Sequence, residues 1–520
     1  MRTHQRCGVA VLTVLLTTSA ALAEVSDPVR LDTGLISGVP GSRSGVRVFK
    51  GIPFAAPPVG PLRWREPRPP VAWEGIRKAD EFGPRCMQGG GGNGRQGGAP
   101  VQPPVSEDCL YLNVWTGAAS ANERRPVILW SYGGSLTSGS GSQPLYDGEA
   151  LAKKGVVFVT YNYRLGPFGF FAHPELTRES GHNASGNQGL MDLRAALEWI
   201  QKNIARFGGD PTRVTSMGES AGASLVACLV VSPRAKGLFQ RAIAESTGCT
   251  GTSRIGLPMM TLAEAEGAGT KAARALGAES LADLRAKPAA EVLKNATGTR
   301  VIVDGWNLVE DAATALAERR QHDVDVLVGS NKDEGTFPVF GVPSGTPQQF
   351  IDRTRARYGA MADSFLALYP AGSESESNAS QLASFRDMVF WNLRSWAQQQ
   401  STRGRAKAYV YYFTHEPQTA PGQPSRGASH TAEIPYAFNN AAPGWTETDR
   451  RLADVMSSYW VNFAATGDPN GKGLPAWPAF KTGASEQPMV LGDTVGVAPG
   501  PGRAQLAFYD TAMRPSSQRR

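Results

Sequence analysis

Beyond its first two dozen residues the chain offers no run of about 18 continuous apolar residues, the length a membrane-spanning helix needs. Cysteine is scarce: there are five in 520 residues, and none forms a C-x-x-C pair. No histidine/cysteine cluster has zinc-like spacing, and so few sulfurs cannot alone stabilise a chain of this length. Histidine is almost as rare, with six. Charged residues make up only 19% of the chain, and the formal charge of +7 is not gathered into a lysine/arginine stripe, which argues against nucleic-acid binding. No internal repeat stands out. The glycine-rich stretch 133–142, GGSLTSGSGS, lacks the lysine of a phosphate-binding loop. It also opens no helix of the kind a dinucleotide fingerprint requires. Neither a nucleotide cofactor nor a metal is called for.

Glycine and proline are plentiful, at 59 and 37, so turns and long loops are expected between elements of a large core. The chain opens MRTHQRCGVAVLTVLLTTSAALAEV, a short basic start and an apolar run that ends at Ala21-Leu22-Ala23. This reads as a secretory signal over 1–23 with cleavage after Ala23. The run is short for a membrane anchor and is interrupted by Thr13, Thr17, Thr18 and Ser19. Cleavage removes Arg2 and Arg6 and no acid, lowering the formal charge from +7 to +5. It also removes Cys7, leaving four cysteines in a protein bound for the periplasm or the medium, where disulfides are permitted. Residues 24–520 are expected to form one large domain. Segment 88–105, QGGGGNGRQGGAPVQPPV, is either a linker or, should the flanking cysteines pair, a closed surface loop.

Residues 29–55 alternate short β-rich pieces with glycines and predict edge hairpins. LYLNVW, RPVILWSY, GVVFVTY, RVTSMG, FQRAIAES, VDVLVGSN and AYVYYFTH predict strands. Leu190, Leu193, Leu197, Ile200 and Ile204 recur at helical spacing, and Gly208-Gly209 with Pro211 ends that helix. The alanine-rich segments 261–282 and 309–320 and the run DVMSSYWVNFAATGD also predict helices, whereas the last residues, MRPSSQRR, read as a polar tail. Apolar strands alternating with helices imply a mostly parallel, three-layer α/β sheet.

In Gly218-Glu219-Ser220-Ala221-Gly222 the pattern G-x-S-x-G lies between a strand and a helix-compatible run. That context holds a serine hydroxyl exposed on a sharp turn, where it can act as a nucleophile once a base takes its proton. The chain order serine, acid, histidine leaves His415 and His430 as bases. His430 lies in a small-residue loop, the better place to meet partners from separate strands. Asp333 and Glu334 follow a strand, and spacing does not choose between them.

Taken together, FKGIPFAAPPVGPLRW, SEDCLYLNVW, YNYRLGPFGF, GNQGLMDLRAALEWIQKNIARFGGDPTRVTSMGESAGA, GSNKDEGT, SHTAEIPY and MSSYWVNFAATGDPN resemble the type-B carboxylesterases, the family of cholinesterases and bacterial p-nitrobenzyl esterases. The resemblance runs from about Val29 to Phe480. It implies an α/β-hydrolase fold: a large, mostly parallel central sheet with helices on both faces and long loop insertions forming an active-site gorge. It also implies Ser220 as nucleophile, Glu334 as acid and His430 as base, with backbone N–H groups of Gly134, Ser135 and Ala221 as the oxyanion hole. Glu219, Ser246 and Glu433 would support the polar network. By the same resemblance Cys86 and Cys109 pair, closing segment 88–105 into the gorge roof; Cys228 and Cys249, outside that likeness, either pair or stay as separate thiols. At 132–136 the chain departs from the family, whose members commonly carry H/Y-G-G-G-F where this chain has Tyr132-Gly133-Gly134-Ser135-Leu136. Ser135 keeps its N–H but excludes backbone angles that glycine tolerates. Leu136, in place of an aromatic ring, is expected to alter the adjacent pocket.

These features imply an exported serine carboxylesterase acting on a small-molecule ester through an acyl-enzyme. One alternative is a hydrolase of polyanionic esters, resembling the fumonisin-ester-cleaving branch of the family. Another is a non-catalytic, cholinesterase-like binding module.

Overall fold

The computed structural model describes residues 27–89, 102–248, 259–296, 298, 300–402, 405–419, 422–481 and 486–513. The expected signal over 1–23, most of the glycine patch 88–105, Cys249 and most of the polar tail lie outside them. Among the described residues, one sheet of eleven strands dominates. Its strands are β1 Val39–Pro40, β2 Arg47–Pro53, β3 Tyr111–Thr116, β4 Arg125–Ser131, β5 Val157–Tyr161, β6 Gly209–Glu219, β7 Arg241–Glu245, β8 Asp325–Asn331, β9 Ala408–Phe413, β10 Met489–Leu491 and β11 Val495–Val497. They lie in the order β11-β10-β9-β8-β7-β6-β4-β5-β3-β2-β1.

Pairing is parallel from β5 through β4, β6, β7, β8 and β9 to β10, and antiparallel only toward the two edges. The sequences explain this division. Strands β5 and β9 are buried at every position, as parallel strands covered on both faces must be. The hairpins expected at the start of the chain are present: Val29–Arg30 pairs antiparallel with Leu35–Ser37 beside the main sheet, and β1 pairs with β2 at its edge.

Helices flank the sheet. Helix α1, Gln188–Asn203, buries Leu190, Leu193, Leu197 and Ile200, then tightens into a short 3-10 turn ended by Gly208 at φ +78°. Arg164, in the loop after β5, is buried with Asp192 of α1, donating from Nε and Nη2 at 2.9 and 2.7 Å. A bidentate pair of this kind ties the loop after β5 to the helix in one geometry. Helix α2, Ala221–Val231, follows Ser220 directly. The alanine-rich stretch 261–282 is not one helix: it divides into Leu262–Ala275 and Leu281–Ala286 around Gly277 at φ +60°. Within 309–320 only Ala312–Ala317 is helical.

Four more helices bear on the site: α3 Pro347–Tyr358, α4 Glu374–Ser401, α5 Glu447–Thr466 and α6 Arg503–Ala512. A Thr446/Asp449 capping box starts α5 and Gly467, in the left-handed region, stops it. The 28-residue α4 was not expected from the sequence. Cys86 and Cys109 are joined by a disulfide, with sulfurs 2.06 Å apart. Cys228 is buried in α2, and its suggested pairing with Cys249 falls outside the described residues. No helix among the described residues is long and apolar enough to cross a membrane.

Candidate active site

Ser220 lies between β6 and α2 with φ +54° and ψ −126°, a conformation side-chain-bearing residues rarely adopt. The neighbouring strand holds it there: the Ser220 N–H donates to the Glu245 carbonyl at the end of β7 at 2.9 Å, and its own carbonyl accepts from Ser224 N–H at 3.1 Å. Two glycines permit this crowding. A Cβ on Gly222 would stand 2.0 Å from the Ser131 carbonyl oxygen, so α2 could not approach β4. A Cβ on Gly133 would stand 2.5 Å from Glu219 Oε2 and 2.9 Å from Ser220 Cβ. The glycine loop is thus glycine-rich because it rests against the serine turn.

The carboxyl ends of three parallel neighbours supply the remaining groups, the usual place for a site in such a sheet. Ser220 follows β6, Ser246 follows β7, and Glu334 lies just past β8. The adjacent acids, equivalent by spacing, have different partners. Glu334 Oε2 is 2.6 Å from His430 Nδ1, and its Oε1 accepts the Asn331 N–H at 2.9 Å. Asp333 instead accepts the Ala428 N–H at 2.9 Å and anchors the loop that carries His430. His415 is elsewhere. Its ring nitrogens face Asp449 at 2.8 Å and Asp493 at 2.6 Å, tying the end of β9 to α5 and to the loop after β10.

The second nitrogen of His430 meets another carboxylate. Nε2 stands 3.0 Å from Glu219 Oε1, an ion-pair distance without hydrogen-bond alignment. Among the described residues no hydrogen bond joins His430 to Ser220. Bonds between nucleophile and base are often loose before substrate binds. Burial pulls the His430 imidazole down, but the Glu219 and Glu334 carboxylates outweigh it and hold it at about 9. Burial pushes Glu219 up to about 8, against the opposing pull of His430.

Behind this pair lies a buried polar network. Ser246 Oγ donates to Glu433 Oε1 at 2.9 Å, and Asn331 Nδ2 bridges Glu433 Oε2 and the Ser429 carbonyl. Burial, followed by the Glu334 charge, pushes Glu433 up to about 7. Glu245 receives the Trp460 indole N–H at 2.7 Å on one oxygen, while the other has no hydrogen-bond partner. Burial raises Glu245 well above the usual carboxylate range, and Glu433 adds to the effect.

Asn331, Glu245 and Trp460 were not singled out from the sequence. The signal for Asn331 is a polar residue closing a buried strand three positions before an acid.

Ser220 opens onto a cavity of about 270 Å³ shared by Ser135, Ala221, Ser246, Thr247, Gly248 and Glu334. Phe340, Phe385, Met388, Val389 and Asn392 complete its wall. The last four repeat along one face of α4 at spacings of three, one and three, as a helix demands. The Phe340 ring lies 4.8 Å from that of His430. Gly134, Ser135 and Leu136 have φ of +108°, +55° and +61°. Ser135 therefore occupies the left-handed region despite its side chain. Among the described residues the backbone N–H groups of Gly134, Ser135 and Ala221 donate to no protein acceptor. Leu136 is fully buried in the main core and is not among the described residues that line the cavity.

Comparison with known proteins adds an independent line. The model of the carboxylesterase family matches residues 26–509. A fumonisin B1 esterase from Sphingopyxis macrogoltabida is 38% identical over 508 residues, covering 92% of this chain and 89% of that protein. A para-nitrobenzyl esterase from Bacillus subtilis (strain 168) is 35% identical over 468 residues, covering 84% and 90%. Among solved structures, a PNB esterase superposes with a TM-score of 0.78 at 33% identity, covering 92% of this chain and 99% of that one.

Proposed function

The chain belongs to the carboxylesterase family and is a serine hydrolase of carboxylic esters; from that premise we propose that Ser220 is its nucleophile, His430 its general base and Glu334 the acid that orients the base. The observation that carries this reading is the 2.6 Å contact of Glu334 with His430 Nδ1 beside the cavity onto which Ser220 opens. As substrate enters, His430 Nε2 takes the Ser220 proton and Oγ attacks the ester carbonyl. Charge forming on the carbonyl oxygen is met by the unengaged N–H groups of Gly134, Ser135 and Ala221. His430 then passes its proton to the departing alcohol, leaving an acyl-serine. Water attacks that acyl group as His430 takes its proton, which returns to Ser220 Oγ as the acid leaves. Glu219, Ser246 and Glu433 act through position and charge, keeping the imidazole in place.

Phe340, Phe385, Met388 and Val389 favour a neutral, apolar acyl or alcohol group in this cavity. The likeness to a fumonisin B1 esterase favours the polyanionic-ester reading. Against it, no lysine or arginine lines the serine cavity among the described residues. A non-catalytic module is disfavoured because serine, histidine and acid are all present. The protein acts after export to the periplasm or the medium, as one catalytic domain beginning at Glu24; N-terminal sequencing of the exported protein tests that boundary.

A panel of esters varied in acyl length, aromaticity and charge tests the activity against Ser220→Ala. His430→Ala against His415→Ala tests the base: His430→Ala should abolish turnover, and a larger loss from His415→Ala would overturn the assignment.

A further inference from the structure

The loop that carries Glu334 and the loop that carries His430 are fastened together along their length. Thr336 Oγ1 donates to the Arg426 carbonyl at 2.8 Å. The Asp333 N–H donates to the Ala428 carbonyl at 2.9 Å, and Asp333 Oδ2 accepts the Ala428 N–H at 2.9 Å in return. The innermost contact comes from Asn331, the last residue of β8 and fully buried. Its Nδ2 donates to the Ser429 carbonyl at 2.8 Å, one residue before His430, and also to Glu433 Oε2. Its backbone N–H donates to Glu334 Oε1 at 2.9 Å, so one residue touches the acid, the base loop and the carboxylate behind the base.

The amide orientation follows from these partners. Turned over, the side chain would set its oxygen against a carbonyl and a carboxylate. Oδ1 has no hydrogen-bond partner among the described residues, so the side chain serves through its two N–H donors.

We infer that Asn331 is a positioning residue for ester cleavage: it holds the loop carrying His430, and the Glu433 carboxylate beside it, against the loop carrying Glu334. This rests on the catalytic assignment above. Losing the grip would let the imidazole drift from Ser220, and small displacements of a reacting group cost turnover steeply. Losing the donor would also change charge. Glu433 has Glu219, Glu245, Glu334, His430 and Tyr411 as titratable neighbours. Burial and the Glu334 charge push it up to about 7, and the Asn331 donor opposes this by stabilising the carboxylate. Without Asn331, Glu433 stays neutral to higher pH and no longer adds to the charge that keeps His430 protonated.

The test is kcat and KM for a neutral activated ester from pH 5 to 10. Asn331→Leu should lower kcat by about tenfold or more and change KM by less than about threefold. Its kcat/KM acid limb should move toward acid by about half a pH unit or more, as should that of Glu433→Gln. Combining the two should move the limb no further, because the charge that Asn331 supports is already gone. Asn331→Asp keeps the shape but sets a second carboxylate against Glu433, and should lower kcat comparably. Adding Glu433→Gln to it returns a donor across that contact and should regain about threefold or more. Variants are compared once thermal unfolding verifies their fold; if Asn331→Leu does not fold, the Asn331→Asp and Glu433→Gln pair decides alone. Wild-type kcat in the Asn331 variants, a loss confined to KM, or a limb shift that persists in full beside Glu433→Gln would overturn the role. Undiminished turnover by Ser220→Ala would instead fail the catalytic assignment, and this inference with it.

Discussion

Replacing Glu219 by glutamine tests the electrostatics of the base. His430 must be neutral to accept the Ser220 proton, so turnover rises as pH rises through the value at which the imidazole loses its charge. Burial lowers that value, but Glu219 and Glu334 together raise it from 6.5 to about 9. Glu219 is itself pushed up to about 8, so the two groups titrate as a pair. The acid limb of the wild-type kcat/KM profile should therefore lie between about 8 and 9. Glu219→Gln removes a charge 3.0 Å from Nε2 and leaves the Glu334 contact intact. A charge this close moves a partner by about one to three pH units, each worth about 1.4 kcal/mol. The limb should shift toward acid, with the gain in neutral His430 greatest at about pH 8 to 9, where wild-type Glu219 is ionised and His430 still holds its proton. The assay is kcat/KM for a neutral activated ester from pH 5 to 10. A glutamine profile that superimposes on the wild type, or moves toward alkali, would refute the reasoning.

Ser135→Gly relieves a left-handed backbone that costs a side-chain-bearing residue about 1–2 kcal/mol, offset by about 0.5–1 kcal/mol of extra unfolded-state freedom. It should be neutral to slightly stabilising and keep kcat within about tenfold; a near-total loss of kcat with folding intact would show that the hydroxyl or the restricted backbone matters. Glu245→Gln removes a buried acid whose raised pKa makes the folded state hold a proton more tightly than the unfolded chain. That wild-type stability declines as pH climbs above the unfolded carboxylate range, by at most about 1.4 kcal/mol per pH unit. The glutamine variant should gain on the wild type from pH 5 to pH 9 in thermal melts, and a growing deficit at high pH would contradict this. Removing the Cys86–Cys109 bridge, which spans 23 positions, should cost about 3 kcal/mol of stability. A denaturation midpoint unchanged by reductant would show that other contacts close the loop.

Much of the fold was legible because its signals are local. Strands buried on both faces read as unbroken apolar runs, α1 shows its period directly, and the serine turn is written within five residues. Helix α4 was hidden for a physical reason. It begins with the polar run ESESNASQ and divides its apolar residues between the core and the cavity, so no single stripe emerges. Preference for Glu334 over Asp333 rested on family likeness, because two adjacent side chains differ only in the direction they point, which the His430 loop reveals. The approach of Glu219 to the far side of His430 was equally invisible, since the serine turn determines where the preceding side chain goes. The burial of Leu136 in the core was not legible, because φ +61° could not be foreseen at a leucine.

The central claim is that Ser220 carries the acyl group. Acid-quenching the protein within the first turnover of an activated ester, followed by intact-mass and peptide analysis, tests it most directly. The account predicts one acyl mass per chain on the peptide containing Ser220, absent in Ser220→Ala. An acyl group on another residue, or undiminished turnover by Ser220→Ala, would contradict it.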